Sequence, residues 1–123
     1  METKDLENQP KDKRKIDNNK PHVVMELIEY EHNEVVRKTI MKKITGSINA
    51  LAFDQGQGLD QKTSPFDTYV QIIDGSAKIE IDGKETVMQV GEGILIQAHK
   101  PSKIIPNGRF KLMQTVIKSG YEE

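Results

Sequence analysis

The sequence predicts an all-β domain, a sandwich or barrel of short antiparallel strands, and three observations carry that prediction. From His22 onward, β-rich runs follow one another at short intervals, separated by Gly, Asp and Pro. Two Asp-Gly pairs, Asp74-Gly75 and Asp82-Gly83, stand between such runs, and both residue types tolerate the positive φ of a type I′ hairpin turn. In Ala77 to Ile81 the apolar residues Ala77, Ile79 and Ile81 alternate with Lys78 and Glu80, the pattern of a strand with one buried and one wet face. A helical reading would have to absorb the breaks at Gly91, Gly93, Pro101, Pro106 and Gly108.

Taken in order, residues 1–21 hold six Lys/Arg and five Asp/Glu against three large apolar residues, Met1, Leu6 and Ile16. Burial of so little apolar surface does not offset the entropy of ordering the segment, so it reads as a disordered leader. The cluster Lys11-Asp12-Lys13-Arg14-Lys15 reads as part of that solvated tail. Val23 to Tyr30 fits either a short helical turn or an edge strand. Val35 to Ile44 and Ser47 to Phe53 flank Thr45-Gly46, which suits a tight turn. Thr68 to Ile73 runs into Asp74-Gly75 and Ala77 to Ile81 into Asp82-Gly83, which reads as a meander. Glu85 to Val90, Ile94 to Gln97, Lys103 to Ile105 and Phe110 to Ile117 bring the count to about eight strands. The domain is thus expected over residues 22–119, with 120–123 as a tail.

At 123 residues and 13.9 kDa, the chain suffices for one domain with a real core. Absence of cysteine removes disulfides, thiolate catalysis and zinc-cysteine sites together. A net charge of -1 lacks the basic excess of a phosphate-backbone binder, and with no Trp and few Phe or Tyr, base-stacking platforms are hard to build. No nucleic acid is expected as partner. No apolar run approaches the roughly 20 residues of a membrane helix, and no apolar stretch follows the N-terminal charges as in a secretory signal. No membrane partner and a cytoplasmic location are therefore expected.

The segment Gly56 to Gly75, GQGLDQKTSPFDTYVQIIDG, resembles the first motif of the cupin superfamily, small jelly-roll barrels also described as double-stranded β-helices. That motif runs Gly, five residues, His, one residue, His, three or four residues, Glu, six residues, Gly. Counted from Gly56, the two His slots hold Lys62 and Ser64, the Glu slot holds Thr68, and the closing glycine is Gly75. In the second motif, counted from Gly91, the Pro slot holds Gln97, the Gly slot His99, the His slot Ser102 and the Asn slot Pro106. The stretches TSPFDTYVQIIDGSAKIEIDGKE and VGEGILIQAHKPSK are further similar to the small single-domain conserved-barrel cupins. The resemblance spans about Val24 to Ser119 and implies a cupin-type jelly roll.

Metal-binding cupins hold a divalent ion with three His and one Glu, and the resemblance puts Lys62, Ser64, Thr68 and Ser102 in those slots. None is a normal ligand for such an ion, and a lysine ammonium has no acceptor to offer. Neither a metal nor another cofactor is therefore expected. Of the three histidines, His22, His32 and His99, only His99 falls in a motif, as a loop residue or as an acid or base on the pocket rim; Asp67 is its nearest acid in sequence terms. The expected ligand-binding set is Lys62, Ser64, Thr68, Ser102 and His99, and the expected function is binding of a small polar or anionic molecule without metal. A metal-independent isomerase or epimerase is the alternative. It would need a His base and a Tyr acid inside the barrel, whereas Tyr69 neighbours an inward slot and is expected to point outward. A metal enzyme with atypical ligands comes third.

Apolar residues on both faces of TYVQII and GILIQ predict a second covering layer. Val35, Ile40, Leu51, Ile73, Ile94, Ile96, Met113 and Ile117 cannot all face one interior under strict alternation. A homodimer, with Val23 to Tyr30 crossing over as an added edge element, is the expected cover.

Overall fold

A computed structural model describes residues 12–118. Nine strands form two antiparallel sheets: β1 (Val35–Lys43), β2 (Gly46–Phe53), β3 (Leu59–Thr63), β4 (Asp67–Gly75), β5 (Ala77–Ile81), β6 (Lys84–Met88), β7 (Gly93–Ile96), β8 (Pro101–Ile105) and β9 (Phe110–Ile117). One sheet has the order β1-β2-β9-β4-β7 and the other β3-β8-β5-β6, so neighbours in the chain repeatedly part to opposite sheets. That is the jelly-roll arrangement.

The core lies between the sheets. Leu51, Phe53, Val70, Ile72, Phe110 and Leu112 project from the five-stranded sheet onto Ala77, Ile79 and Met88 of the other. Phe53 and Phe110, paired across β2 and β9, stack with ring centroids 4.4 Å apart. Ala77 and Ile79 are buried and Ile81 packs against the same cluster, as alternation requires.

Asp82-Gly83 forms the expected turn, with φ of 53° and 83°, between the paired strands β5 and β6. Asp74-Gly75 does not: β4 continues through both residues, pairs with β9 and not with β5, and carries a register shift between Ile72 and Asp74. The expected meander is therefore replaced by a crossing between sheets. Gly75 has φ +70°, and a Cβ there would collide with the Arg109 carbonyl oxygen, so the glycine serves close strand packing at the crossing. Strand β3 was not among the expected strands. Its sequence LDQKT carries a single large apolar residue, and four of its five residues are exposed on a sheet edge.

Of the expected leader, residues 1–11 lie outside the described residues, as do 119–123. Residues 12–21 contain turns but no helix or strand and touch the body where Lys13 pairs with Glu26 at 3.1 Å and Lys38 donates to the Arg14 carbonyl. Val23 to Tyr30 resolves as a short 3-10 helix, Val24–Glu26, followed by a strap. Leu27 and Ile28 are buried, and Ile28 with Tyr30 packs on Val36, Ile40, Ala50, Ala52 and Met113, on the outer face of the five-stranded sheet. Part of the cover expected from a partner is thus supplied by the chain itself. The rest of that face, at Met41, Tyr69, Leu95 and Ile117, is exposed in the single chain.

A clasp of polar groups fixes the strap. Tyr30 donates to Asp74 Oδ2 at 2.7 Å, and its ring lies beneath Arg109 and the largely buried Lys111, at 5.2 and 4.9 Å. Lys111 Nζ donates to the Met25 carbonyl at 2.7 Å. Asp54 accepts the Asn33 N–H and the Arg109 Nε–H, each at 2.7 Å. The Asn33 N–H, followed by Arg109, holds the Asp54 carboxyl down at about 2. Burial, reinforced by the bond to Asp74, raises the Tyr30 phenol.

Candidate functional site

Alternation along three strands sends small polar side chains into one end of the barrel. On β4 the inward positions are Thr68, Val70 and Ile72, while Tyr69 is exposed on the outer face over Gly93, where a Cβ would strike its ring. On β3 and β8, Lys62 lies directly opposite Ser102. Ser64 follows β3, and its Oγ accepts the Phe66 N–H at 3.1 Å, a local turn that leaves its hydroxyl proton available.

These four residues line one cavity of about 140 Å³. Its floor is aliphatic, built from Leu51, Val70, Ile79 and Leu112, all core residues. Its mouth carries Lys62, Lys100, Lys103, Asp60, Gln97 and the hydroxyl side chains. Lys100 is paired with Asp82 at 3.5 Å and Lys103 with Glu80 at 4.0 Å. Lys62 has no ion pair among the described residues. The hydroxyls of Thr68 and Ser102 likewise have no hydrogen-bond partner among them. Since no fully buried side-chain polar atom there is left unpartnered, the Thr68 hydroxyl opens on the cavity although the residue is only 8% exposed.

His99 is exposed and is not one of the lining side chains. Its backbone shapes the mouth instead. With φ +68° it closes the turn from Gln97 to Lys100, and its N–H donates to the Ser64 carbonyl at 2.7 Å. Asp67 accepts the Ala98 N–H at 2.8 Å, so the rim loop is anchored at two points, Ser64 and Asp67, to the segment that carries Ser64 and Thr68. Sequence reasoning missed Lys100, Lys103, Gln97, Gln114 and Asp60 as lining residues. Asp60 lies where the register of β3 against β8 shifts, between Leu59 and Lys62, so alternation along the sequence would not have placed it.

The residues at this cavity do not suit the divalent metal that metal-binding cupins hold. An ammonium and three hydroxyls occupy the ligand positions, and among the described residues no group of three or more His, Cys, Asp or Glu is placed to hold an ion. No helix among them is long and apolar enough to cross a membrane.

Two antiparallel sheets wrapped around an apolar interior, open at one polar end, define a small jelly-roll barrel with a ligand-sized cavity. Among solved structures, it is similar to a cupin superfamily protein from Desulfitobacterium hafniense (24% identity over 83% of this chain and 94% of that one, TM-score 0.78). A conserved protein of unknown function from Streptococcus pyogenes is equally similar (24%, 84% and 90%, TM-score 0.79). A cupin 2 conserved barrel domain protein from Leptotrichia buccalis shares 27% identity over 76% of this chain and 46% of its own length, with a TM-score of 0.74. The fold is the cupin barrel. No family model and no curated protein matches the chain.

Proposed function

We propose that this barrel is a metal-free binding module for a small polar or anionic molecule, held at its mouth by Lys62, Ser64, Thr68 and Ser102 with the His99 loop as rim. The observation that carries the reading is the state of these groups: two hydroxyls and an ammonium that have no partners among the described residues line one cavity. Donors left open in an otherwise well-paired structure are groups that a ligand can satisfy. The metal-independent isomerase reading is weaker, because His99 is exposed outside the lining and Tyr69 is on the outer face. We read the protein as a cytoplasmic homodimer, joined through the outer row Met41, Ile48, Thr115, Tyr69 and Leu95, which spans all five strands and includes three exposed large apolar side chains.

Elemental analysis of purified protein tests the metal-free part: well under one equivalent of transition metal is expected, with a melting temperature insensitive to chelators, and stoichiometric metal overturns it. Conversely, Lys62→His with Ser64→His, Thr68→Glu and Ser102→His is expected to gain divalent-metal affinity. Sedimentation equilibrium at micromolar concentration is expected to give twice the 13.9 kDa chain mass; a monomer overturns the dimer.

A further inference from the structure

The cavity is two environments joined end to end, and their dimensions narrow the ligand class. This step rests on the binding reading above and goes further in naming what binds. The floor is mostly aliphatic, from Leu51, Val70, Ile79 and Leu112, with Gln114 opposite Val70 as a polar neighbour, so a wholly polar ligand would surrender most of its hydration there for little hydrogen bonding in return. The mouth presents the ammonium of Lys62 and the open hydroxyls of Thr68 and Ser102, so a wholly apolar ligand would bury or displace water from those groups without replacing it. A molecule matching both ends has an apolar body and an acceptor-rich head.

Size sets the body. An engineered aliphatic cavity of about 150 Å³ accepts one benzene, and floor and mouth here together enclose about 140 Å³, so the apolar body is at most one ring. Charge sets the head. Lys100 and Lys103 already have carboxylate partners in Asp82 and Glu80, and Asp60 lines the same mouth. With Lys62 the one mouth cation that has no ion pair among the described residues and Asp60 close by, a singly charged anion meets less repulsion from Asp60 than a phosphate dianion does. A carboxylate also has the geometry to accept from an ammonium and two hydroxyls together. We infer that the cavity binds a small monocarboxylate with a single-ring or similarly sized branched apolar body, its carboxylate at Lys62, Thr68 and Ser102 and its body against Leu51, Ile79 and Leu112.

Titration of the full chain with benzoate, benzyl alcohol, acetate and phosphate, followed by amide and methyl NMR, tests this. Benzoate is expected to shift the amides of Lys62, Thr68 and Ser102 and the methyls of Leu51, Ile79 and Leu112. It is expected to bind at least tenfold tighter than acetate, which lacks the body, and than benzyl alcohol, which lacks the charge. Lys62→Gln, at an exposed strand position where folding is undisturbed, is expected to weaken benzoate about tenfold and leave benzyl alcohol unchanged. Acetate binding at the mouth as tightly as benzoate would overturn the apolar body, and phosphate binding as tightly would overturn the carboxylate head, each while leaving an anion-binding module. No shift at the cavity with any of the four probes overturns both. Benzoate binding unaffected by Lys62→Gln overturns the assignment of the head.

Discussion

Two polar clusters sit at different places on this barrel, and they are in opposite states. The clasp under the strap joins Tyr30, Asp54, Asp74, Arg109 and Lys111, and each is hydrogen-bonded to another member or to the strap backbone. The cavity mouth joins Lys62, Ser64, Thr68 and Ser102, and there the ammonium and two hydroxyls are open. The clasp is built from charged pairs and a phenol, the mouth from hydroxyls and one ammonium, and they differ in satisfaction as well. A satisfied cluster fastens one part of the chain to another, and an open one is available to a molecule from outside. The contrast predicts that substitutions under the strap change stability and those at the mouth change binding.

The largest expected effect is at the strap. Leu27 is fully buried, so Leu27→Ala is expected to cost about 2–5 kcal/mol in urea unfolding. A cost within about 0.5 kcal/mol, the range of an ordinary surface change, would show the strap to be only loosely attached. Acid comes next. The Asp54 carboxyl is held at about 2 in the folded chain, first by the Asn33 N–H and then by Arg109, whereas an unfolded aspartate titrates near about 3.9. Its contribution is therefore complete above about pH 4 and is lost as pH falls through about 2. Urea midpoints from pH 5 to 2 should decline in the native chain and flatten in Asp54→Asn. At the other end of the scale, the raised Tyr30 phenol favours its neutral form in the folded chain, so stability is retained below an ordinary tyrosine pKa and falls as alkali ionises it.

Tyr30→Phe removes the bond to Asp74 and should cost about 1 kcal/mol, with the stacked cations still in place. Smallest of all, Thr68→Val and Ser102→Ala should each alter stability by no more than about 0.5 kcal/mol while weakening whatever occupies the mouth. Calorimetric unfolding of the two variants checks this. A loss of several kcal/mol at either position would place them with the clasp and erase the distinction.

Much of the fold could be read because alternation and turn chemistry are local. Asp82-Gly83 makes the hairpin its residues demand. Asp74-Gly75 shows the limit: an identical dipeptide serves as a crossing, because the pairing of β4 with β9 is decided by residues far along the chain. Strand β3 escaped notice since Lys62 and its neighbours form an exposed edge, whose strand character comes from pairing with β8 and not from its own pattern. At the site, motif spacing located Lys62, Ser64, Thr68 and Ser102, which indeed share a cavity. His99 occupies a motif slot, yet its backbone is what shapes the mouth, a role that side-chain chemistry does not announce. The lysine pairs at the rim were out of reach, since Lys100–Asp82 and Lys103–Glu80 join residues about twenty positions apart.

The place of β9 sets the order in which this molecule can be assembled. Among the described residues it follows every other strand in the chain, yet it is the middle strand of its sheet, inserted between β2 and β4. Until Phe110 reaches Phe53, β2 and β4 have no common neighbour in their sheet, and the core between the sheets lacks Phe110 and Leu112. A ribosome carrying the chain as far as β8 therefore holds an unclosed half-barrel with two bare strand edges, a species that chaperones recognise and that aggregates if released. Arrested chains ending just before and just after Phe110–Ile117 should differ sharply in protease resistance, since this single strand converts a set of hairpins into a closed barrel.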